Sequence, residues 1–340
     1  MSALIVGIDV SKDTVDVARI TGPDTTSDLG NFPNDETGFR AVAKLLKREA
    51  KQAGAEQICI IIEPTGGYER LLVTFAIKQD WRVSIPNPFK VRQWAKGMGI
   101  RAKTDRLDAR MLARYGASKP LPTYKPLPEH IANLDALLRR KEDLEVTLRG
   151  ERNRLHACHA QGITSGPVFA SIERAIEWLE QELDKLHQDI DTFLDQHQDV
   201  QQQATNLRTV PGIGERNCLY ILVLLYRWDT ITESRGSNKQ LTAYVGLDPV
   251  ACDSGTSVHG RQMISREGNR NIRCRLYMSA LGATNGKNAL SEFYHRLVAA
   301  NKKKKVALVA GARKILIWAW AVFRHQTTFD AKRFAPATAQ

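Results

Sequence analysis

The chain has 340 residues, 49 Lys and Arg against 37 Asp and Glu, and a formal net charge of +12. Hydrophobic residues make up 43% and charged residues 25%. This is ordinary globular composition, which excludes wholesale disorder, and the length suits two or three domains. No run of about 18 apolar residues appears, so no transmembrane helix is expected. The start, Met1 to Asp9, has no basic n-region, so it does not read as a signal peptide. Five scattered cysteines with no C-x-x-C pair argue against a disulfide framework and fit a reducing cytoplasm. The basic excess makes nucleic acid the leading partner class and gives no reason to expect a membrane.

The charge is unevenly spread. Residues 1–128 carry a net +6, residues 129–204 a net −7 and residues 205–340 a net +13. In chain order, Leu4–Val10 is a short apolar run and Thr14–Ile20 alternates like a half-buried strand. Glu36–Ala53 has helical spacing, and Ile58–Ile62 is a β-branched run of buried-strand type. Pro64-Thr-Gly-Gly67 then leads into a helix through about Lys78. Arg82–Ile85 reads as another strand, with helical stretches around 88–98 and 105–117. Strands in hairpin order, followed by alternation with helices, predict a mixed sheet with helices on its faces. Four prolines between Lys119 and Pro128 exclude a helix interior and mark a linker.

The middle block is helical. Ile172, Ile176, Leu179, Leu183, Leu186, Ile190 and Phe193 form a sustained a/d seam, and Leu134, Leu138, Leu144, Leu148 and Leu155 a looser stripe. A turn at Gly162–Gly166 makes these an antiparallel hairpin. The seam is then either a dimerisation surface or the line along which the two helices cover each other. The last block opens with Val210-Pro-Gly-Ile-Gly214, which resembles the hairpin of a helix-hairpin-helix element. In such an element, backbone amides beside Gly212 and Gly214 grip a phosphate. The final helix, about 306–324, carries Trp318, Trp320 and Phe323 and reads as core.

Four carboxylates stand at the ends of elements. Asp9 and Glu63 each end an apolar strand, where an unpartnered acid costs desolvation energy. Asp105 and Asp108 lie three apart, on one face of a helix, and repel by a few tenths of a kcal/mol unless a cation lies between them. Singly, each has a structural reading: Asp105 as a first-turn acid, Asp9 as a turn cap with Ser11 and Lys12. Together they suit one or two Mg2+ ions, which activate a nucleophile and stabilise both oxygens of a phosphodiester displacement. Between Lys78 and Lys119 there are 11 basic residues and three acids. Lys90, Arg92, Lys96, Arg101 and Lys103, with Trp94 among them, read as a phosphate-tracking surface.

Residues 252–271 are rich in Gly and Ser and carry Arg261, Arg266 and Arg270, with Arg273 just beyond. A serine in such a loop can attack phosphorus while arginines stabilise the developing charge. On chemistry alone Ser254, Ser257 and Ser265 are all candidates. His156-Ala-Cys-His159 has no second ligand pair at suitable spacing, which argues against zinc.

Several of these segments fall in one order: Gly7-Ile-Asp9-Val-Ser, Ile62-Glu63-Pro-Thr-Gly-Gly, Lys103-Thr-Asp105-Arg-Leu-Asp108, Pro211-Gly-Ile-Gly, Ala243-Tyr-Val-Gly-Leu-Asp-Pro, Ser254-Gly, Ile264-Ser-Arg-Glu-Gly-Asn and Arg313-Lys-Ile-Leu. That order resembles the DEDD transposases of the insertion-sequence 110 family, also called bridge recombinases and related to the pilin-gene invertases. The resemblance implies an α/β chain with a RuvC-like (RNase H fold) domain over 1–122 and a coiled-coil hairpin over 129–204. A mostly helical C-terminal transposase domain is implied over 205–335. It implies Mg2+ held by Asp9, Glu63, Asp105 and Asp108, and Ser254 as the nucleophile that forms a phosphoserine link to DNA. The implied partners are donor and target double-stranded DNA, a noncoding bridge RNA that selects them by pairing, and further copies of the chain in a dimer or tetramer. The implied setting is the bacterial cytoplasm, in association with the nucleoid.

Other functions fit less of the chain. A hydrolytic RuvC-like nuclease or Holliday-junction resolvase uses the same acids but leaves the Ser254 region without a role. An actin- or sugar-kinase-like ATPase shares the Gly7-Ile-Asp9 strand, yet no later Asp-x-Gly-Gly-Thr phosphate loop follows. A non-catalytic architectural protein requires the acids to be inert.

Overall fold

A computed structural model describes residues 2–22, 25–99, 105–250, 253–254, 258–259 and 263–334, with residues 105–107, 253–254, 258–259 and 333–334 described by their backbone alone. The chain divides into two compact units, Met1–Lys125 and Pro126–Gln340. The division falls inside the proline-rich stretch.

The first unit is built on a mixed sheet. Its elements are β1 (Ala3–Val10), β2 (Thr14–Ile20), β3 (Thr26–Pro33), α1 (Glu36–Ala53), β4 (Gln57–Ile62), α2 (Arg70–Lys78), β5 (Arg82–Ser84), α3 (Pro88–Gly97) and α4 (Asp105–Ser118). The strand order is β3-β2-β1-β4-β5. β1 is antiparallel to β2 and parallel to β4, β2 is antiparallel to β3, and β4 is parallel to β5. The two central strands, Ala-Leu-Ile-Val-Gly-Ile-Asp-Val and Gln-Ile-Cys-Ile-Ile-Ile, are rich in β-branched residues because both of their faces are covered. Leu4, Val6 and Ile8 pack with Phe39, Val42 and Leu46 of α1 and Leu72 and Ala76 of α2. Ile5 and Ile61 face the other way, toward Val91 of α3 and Leu112 and Tyr115 of α4. Local chemistry sets the helix ends. Asp35 accepts a bond from the Gly38 amide at 2.8 Å to open α1, and Gly54 closes it in the left-handed region at φ 61°. Asn87 caps α3, with Pro88 in its first turn.

α4 lies directly on β1. A Cβ on Gly7 would stand 2.0 Å from the carbonyl oxygen of Ala109 and 2.4 Å from the amide nitrogen of Ala113. One turn further along α4, a Cβ on Gly116 would stand 2.5 Å from the Ile61 side chain and 3.4 Å from that of Ile5. The helix therefore runs antiparallel to β1, and its N-terminal half lies over the carboxyl ends of the parallel strands.

The second unit is helical. α5 (Glu129–Ala160) and α6 (Pro167–Gln196) form the expected antiparallel hairpin, in which Leu144 and Leu148 pack with Leu179, Leu183 and Leu186, and Arg152 pairs with Glu180 at 2.7 Å. The seam from Leu179 to Phe193 is thus buried within the chain. Of the two readings of that seam, mutual cover is the one the structure adopts. The base of the hairpin joins a core shared with α7 (Gln198–Arg208), α8 (Glu215–Thr232), α9 (Asn238–Val245), α10 (Arg270–Ala283), α11 (Ala289–Ala299) and α12 (Lys304–His325). A short α13 (Ala331–Phe334) follows. α12 is long and apolar enough to cross a membrane by length and composition alone. Its Ala312, Ile315, Leu316, Ala319 and Val322 are fully buried in the bundle, as in a core helix. Four cysteines, Cys59, Cys158, Cys218 and Cys274, are free.

The Gly7 contact generates a direct test. Gly7→Ala places a methyl against two backbone atoms that cannot rotate away. It is expected to destabilise the first unit by about 3 kcal/mol, a drop of roughly 10 °C in melting temperature, readable by circular dichroism.

Candidate active site

The register of the sheet brings two of the acids together. Ile8 pairs with Ile62 at the last matched step of β1 and β4. One step further Asp9 and Glu63 become neighbours, with backbones about 5 Å apart. By alternation Asp9 shares the face of Gly7, and Glu63 that of Ile61, so both face α4. Asp108 immediately precedes Ala109, the residue that sits on Gly7. Asp105 is the first residue of α4, one turn nearer the strand ends, and its side chain lies outside the described atoms. Arg92 of α3 reaches Glu63 at 3.7 Å. A cation expected to track phosphate therefore sits on one of the acids.

The loops that follow the two acids are stapled together. The Asn34 side-chain amide donates to the carbonyls of Ser11 at 2.9 Å and Lys12 at 3.4 Å, beyond Asp9, and to that of Tyr68 at 3.2 Å, beyond Glu63. Glu69 holds Pro64-Thr-Gly-Gly67 by accepting from the amides of Thr65 at 3.1 Å and Gly67 at 2.9 Å. Asp16 stands directly opposite Asp9 on β2, and its carboxylate accepts from the Asn31 amide at 3.1 Å. Asn34 and Asp16 carry no signature in the sequence. Asn34 acts through three distant carbonyls, and Asp16 through a register that only the folded hairpin defines.

The donor chemistry fits a hard divalent cation. The donors are carboxylate oxygens, as Mg2+ requires, and in the segments around the two acid loops Thr65 Oγ1 and Asn34 Oδ1 are buried without a hydrogen-bond partner. Among the described side chains no three His, Cys, Asp or Glu are gathered closely enough to hold an ion.

Lys90, Lys96 and Arg92 lie on α3, all exposed, while Arg101 and Lys103 lie outside the described residues. Trp94 turns inward, edge-on to Tyr115 at 5.5 Å between ring centres, and is no stacking platform for a base. The exposed ring on α3 is that of Phe89.

In the second unit, Ser254 sits on a small ribbon. β6 (Pro249–Val250) pairs with β9 (Met263–Ile264), and β7 (Asp253–Ser254) pairs with β8 (Val258–His259). Ser254 pairs with Val258, and Ser257 and Arg261 lie outside the described residues. Ser265 has a structural partner. Its hydroxyl donates to the Asp248 carboxylate, and its amide donates to the Asp248 carbonyl at 3.0 Å, closing the base of the ribbon. That base also packs backbone on backbone, since a Cβ on Gly268 would stand 2.3 Å from the Tyr244 carbonyl oxygen.

The arginines divide. Arg266 and Arg270 are exposed beside the ribbon base. Arg273 is half-buried and donates to the carbonyls of Gly268 at 2.6 Å and Val245 at 3.1 Å, so its role is to hold the chain. Burial lowers its pKa from the ordinary arginine value, helped by Arg266 and Arg270. Gly212 is likewise occupied: at φ 91° it faces α10, where a Cβ would lie 2.5 Å from the Ser279 carbonyl oxygen. Gly214 caps α8, and a Cβ there meets nothing within 4 Å.

Comparison with known proteins gives the class first. Residues 6–161 match the DEDD transposase domain of IS110 type, and residues 204–295 match the transposases of the IS116/IS110/IS902 family. The protein is a transposase, that is, a DNA recombinase. It is 32% identical over 333 residues to the pilin gene-inverting protein of Moraxella lacunata, covering 98% of this chain and 99% of that one. The Moraxella bovis pilin gene-inverting protein is 31% identical over the same length and coverage. The insertion element IS110 uncharacterized 43.6 kDa protein of Streptomyces coelicolor is 29% identical over 126 residues, 37% of this chain and 30% of that one. The chain belongs to the IS116/IS110/IS902 family of transposases. Membership carries DNA as substrate, and the DEDD domain carries dependence on a divalent metal ion.

Two substitutions test the supports around the site. Asn34→Ala removes the staple between the two acid loops and is expected to cost about 1–3 kcal/mol, seen as a lower urea midpoint. Ser265→Ala leaves Asp248 without its hydroxyl partner and is expected to cost a similar amount, about 1–3 kcal/mol. Faster hydrogen exchange confined to residues 246–250 and 263–268 would report it.

Proposed function

We propose that this recombinase exchanges donor and target DNA strands by transesterification at Ser254, with Asp9, Glu63, Asp105 and Asp108 holding Mg2+ and a noncoding bridge RNA choosing the sites. The observation that carries the reading is the register of β1 with β4, which sets Asp9 beside Glu63 under the helix bearing Asp108. The strand order, with two antiparallel pairs followed by two parallel ones, supports a RuvC-like (RNase H fold) first domain.

In this reading the Ser254 hydroxyl gives up its proton and its oxygen bonds to phosphorus. The bridging P–O bond breaks, and the departing strand end takes a proton. Energy is conserved in the phosphoserine ester, so a second strand end can reverse the exchange without a cofactor. Arg266 and Arg270, exposed beside the ribbon, stabilise the charge on the non-bridging oxygens. Bound Mg2+ supplies the Lewis acid that polarises the phosphoryl oxygen. The chain's own acids orient it, and Asn34 and Glu69 keep their loops in place. Ser265 is a weaker nucleophile candidate, because its hydroxyl is already given to Asp248.

The working assembly is a homo-oligomer, a dimer or tetramer. Its contacts use the outer surface of the helical hairpin, where Val146 and Trp178 are exposed, because the seam itself is covered. The protein acts in the bacterial cytoplasm, on the nucleoid, with no membrane partner.

The decisive experiment is to quench the reaction with denaturant and look for protein joined covalently to labelled DNA. Ser254→Ala and Asp9→Ala are each expected to reduce adduct and recombination by roughly 10³-fold or more, with RNA copurifying as before. Ser257→Ala is expected to retain both. Full recombination by Ser254→Ala would eliminate the serine mechanism in favour of hydrolysis by the acids alone. Sequencing the copurifying RNA tests the guide, which must contain segments complementary to both DNA partners.

A further inference from the structure

The first unit has a groove away from the acids. It lies between α1 and α2, on the opposite side of the sheet from α3 and α4, and has a volume of about 930 Å³. Its floor is Phe39, Ala43 and Phe75, and its walls carry Arg40, Lys44, Lys47 and Lys78 against one acid, Glu36. Arg40 pairs with Glu36 one turn away, and Lys47 donates to Gln79 at 2.9 Å across the groove. The proposed catalytic chemistry uses none of these residues.

The arrangement is regular. Arg40, Lys44 and Lys47 occupy positions i, i+4 and i+7 of α1, a single stripe spanning about 10 Å of helix axis. Lys78 stands on the facing wall. Long basic side chains over an apolar floor lay their stems on it and present their charged ends outward. A stripe of that length faces about three successive phosphates of one duplex strand, at about 3.4 Å of axis each. Neither lining ring is an exposed stacking platform, since Phe39 is buried and Phe75 half-buried. Unpaired strands are held on such platforms, so the groove suits duplex backbone.

We infer that the α1–α2 groove holds a segment of duplex DNA separate from the one at the acids. A recombinase joins two duplexes. A straight duplex engaged over α4 cannot also reach the far side of the sheet. The inference rests on the family's action on DNA and not on the identity of the nucleophile.

The test uses the full-length protein and two random-sequence duplexes, one immobilised and one fluorescent. Protein bound to the first is scored for capture of the second. The Lys44→Glu, Lys47→Glu, Lys78→Glu triple variant is expected to load on the immobilised duplex yet capture the second at least tenfold less. The salt dependence of capture is expected to flatten by about 3 in log–log slope, close to 0.9 per lost phosphate contact. The matching Lys→Gln triple variant removes charge without reversing it, and is expected to show a smaller loss with an unchanged melting curve. Capture equal to wild type by the Gln variant and by a folded Glu variant overturns the inference. So does a loss seen only when the second duplex is RNA. Covalent adduct on a single duplex is read in parallel. If wild-type protein forms none on a duplex that carries the sequence complementary to its copurifying RNA, the serine mechanism fails while the capture result stands.

Discussion

The candidate site depends on one close contact, that of Gly7 with the backbone of α4. Two acids at the ends of apolar strands are costly to bury. The chain meets that cost by bringing the amino-terminal half of a helix down onto the same edge of the sheet, which only a residue without a side chain permits. The positive end of the helix dipole then lies near Asp9 and Glu63, and Arg92 adds a cation at 3.7 Å. The helix also brings its own acids, Asp108 and Asp105. A side chain at position 7 would lift α4 and separate strand acids from helix acids together.

The second unit answers a different physical demand. A serine in the role proposed for Ser254 has to project from its support and still keep a fixed aim. The ribbon bearing Ser254 is too short to be stable alone, since an isolated two-stranded hairpin is marginal in water. Its rigidity comes from its base, where Asp248 takes the Ser265 hydroxyl, Gly268 lies against Tyr244, and Arg273 ties the Gly268 and Val245 carbonyls. Arg273 and Ser265 thus work as framework, which leaves Arg266 and Arg270 as the exposed cations at that base.

Much of this was legible in the sequence, and what was not has physical causes. The buried strands, α1, and the helices at 88–98 and 105–117 announce themselves by the spacing of their apolar residues. β3 does not, because it is a polar edge strand, Thr-Ser-Asp-Leu-Gly-Asn-Phe-Pro, held by pairing with β2 and by no burial pattern of its own. Trp94 looks like part of a basic surface because its neighbours in sequence are charged, but on a helix its angular position aims it at Tyr115. The seam of α6 is visible in the sequence, whereas the surface that covers it depends on the path of α5. Arg273 has the composition of a phosphate ligand, and only its burial beside two carbonyls reveals its use.

The two faces of the sheet separate the basic groove from the proposed catalytic acids in the first unit. Both faces of β1 and β4 are covered by helices, which leaves the ends of the strands, and α/β sheets bind ligands at the carboxyl ends. The acids occupy that edge. A cluster of carboxylates repels DNA unless cations are near, but cations packed among the acids compete with a metal for the same oxygens. Arg92, 3.7 Å from Glu63, is an ion pair of that kind. Arg40, Lys44 and Lys47 of α1 and Lys78 of α2 stand instead on the covered face opposite α3 and α4, where they can attract a phosphate backbone away from the acids. The basic stripe of α1 and the acids thus lie on opposite faces of the sheet, which keeps charge that attracts phosphate apart from the oxygens that the proposed metal ion would use.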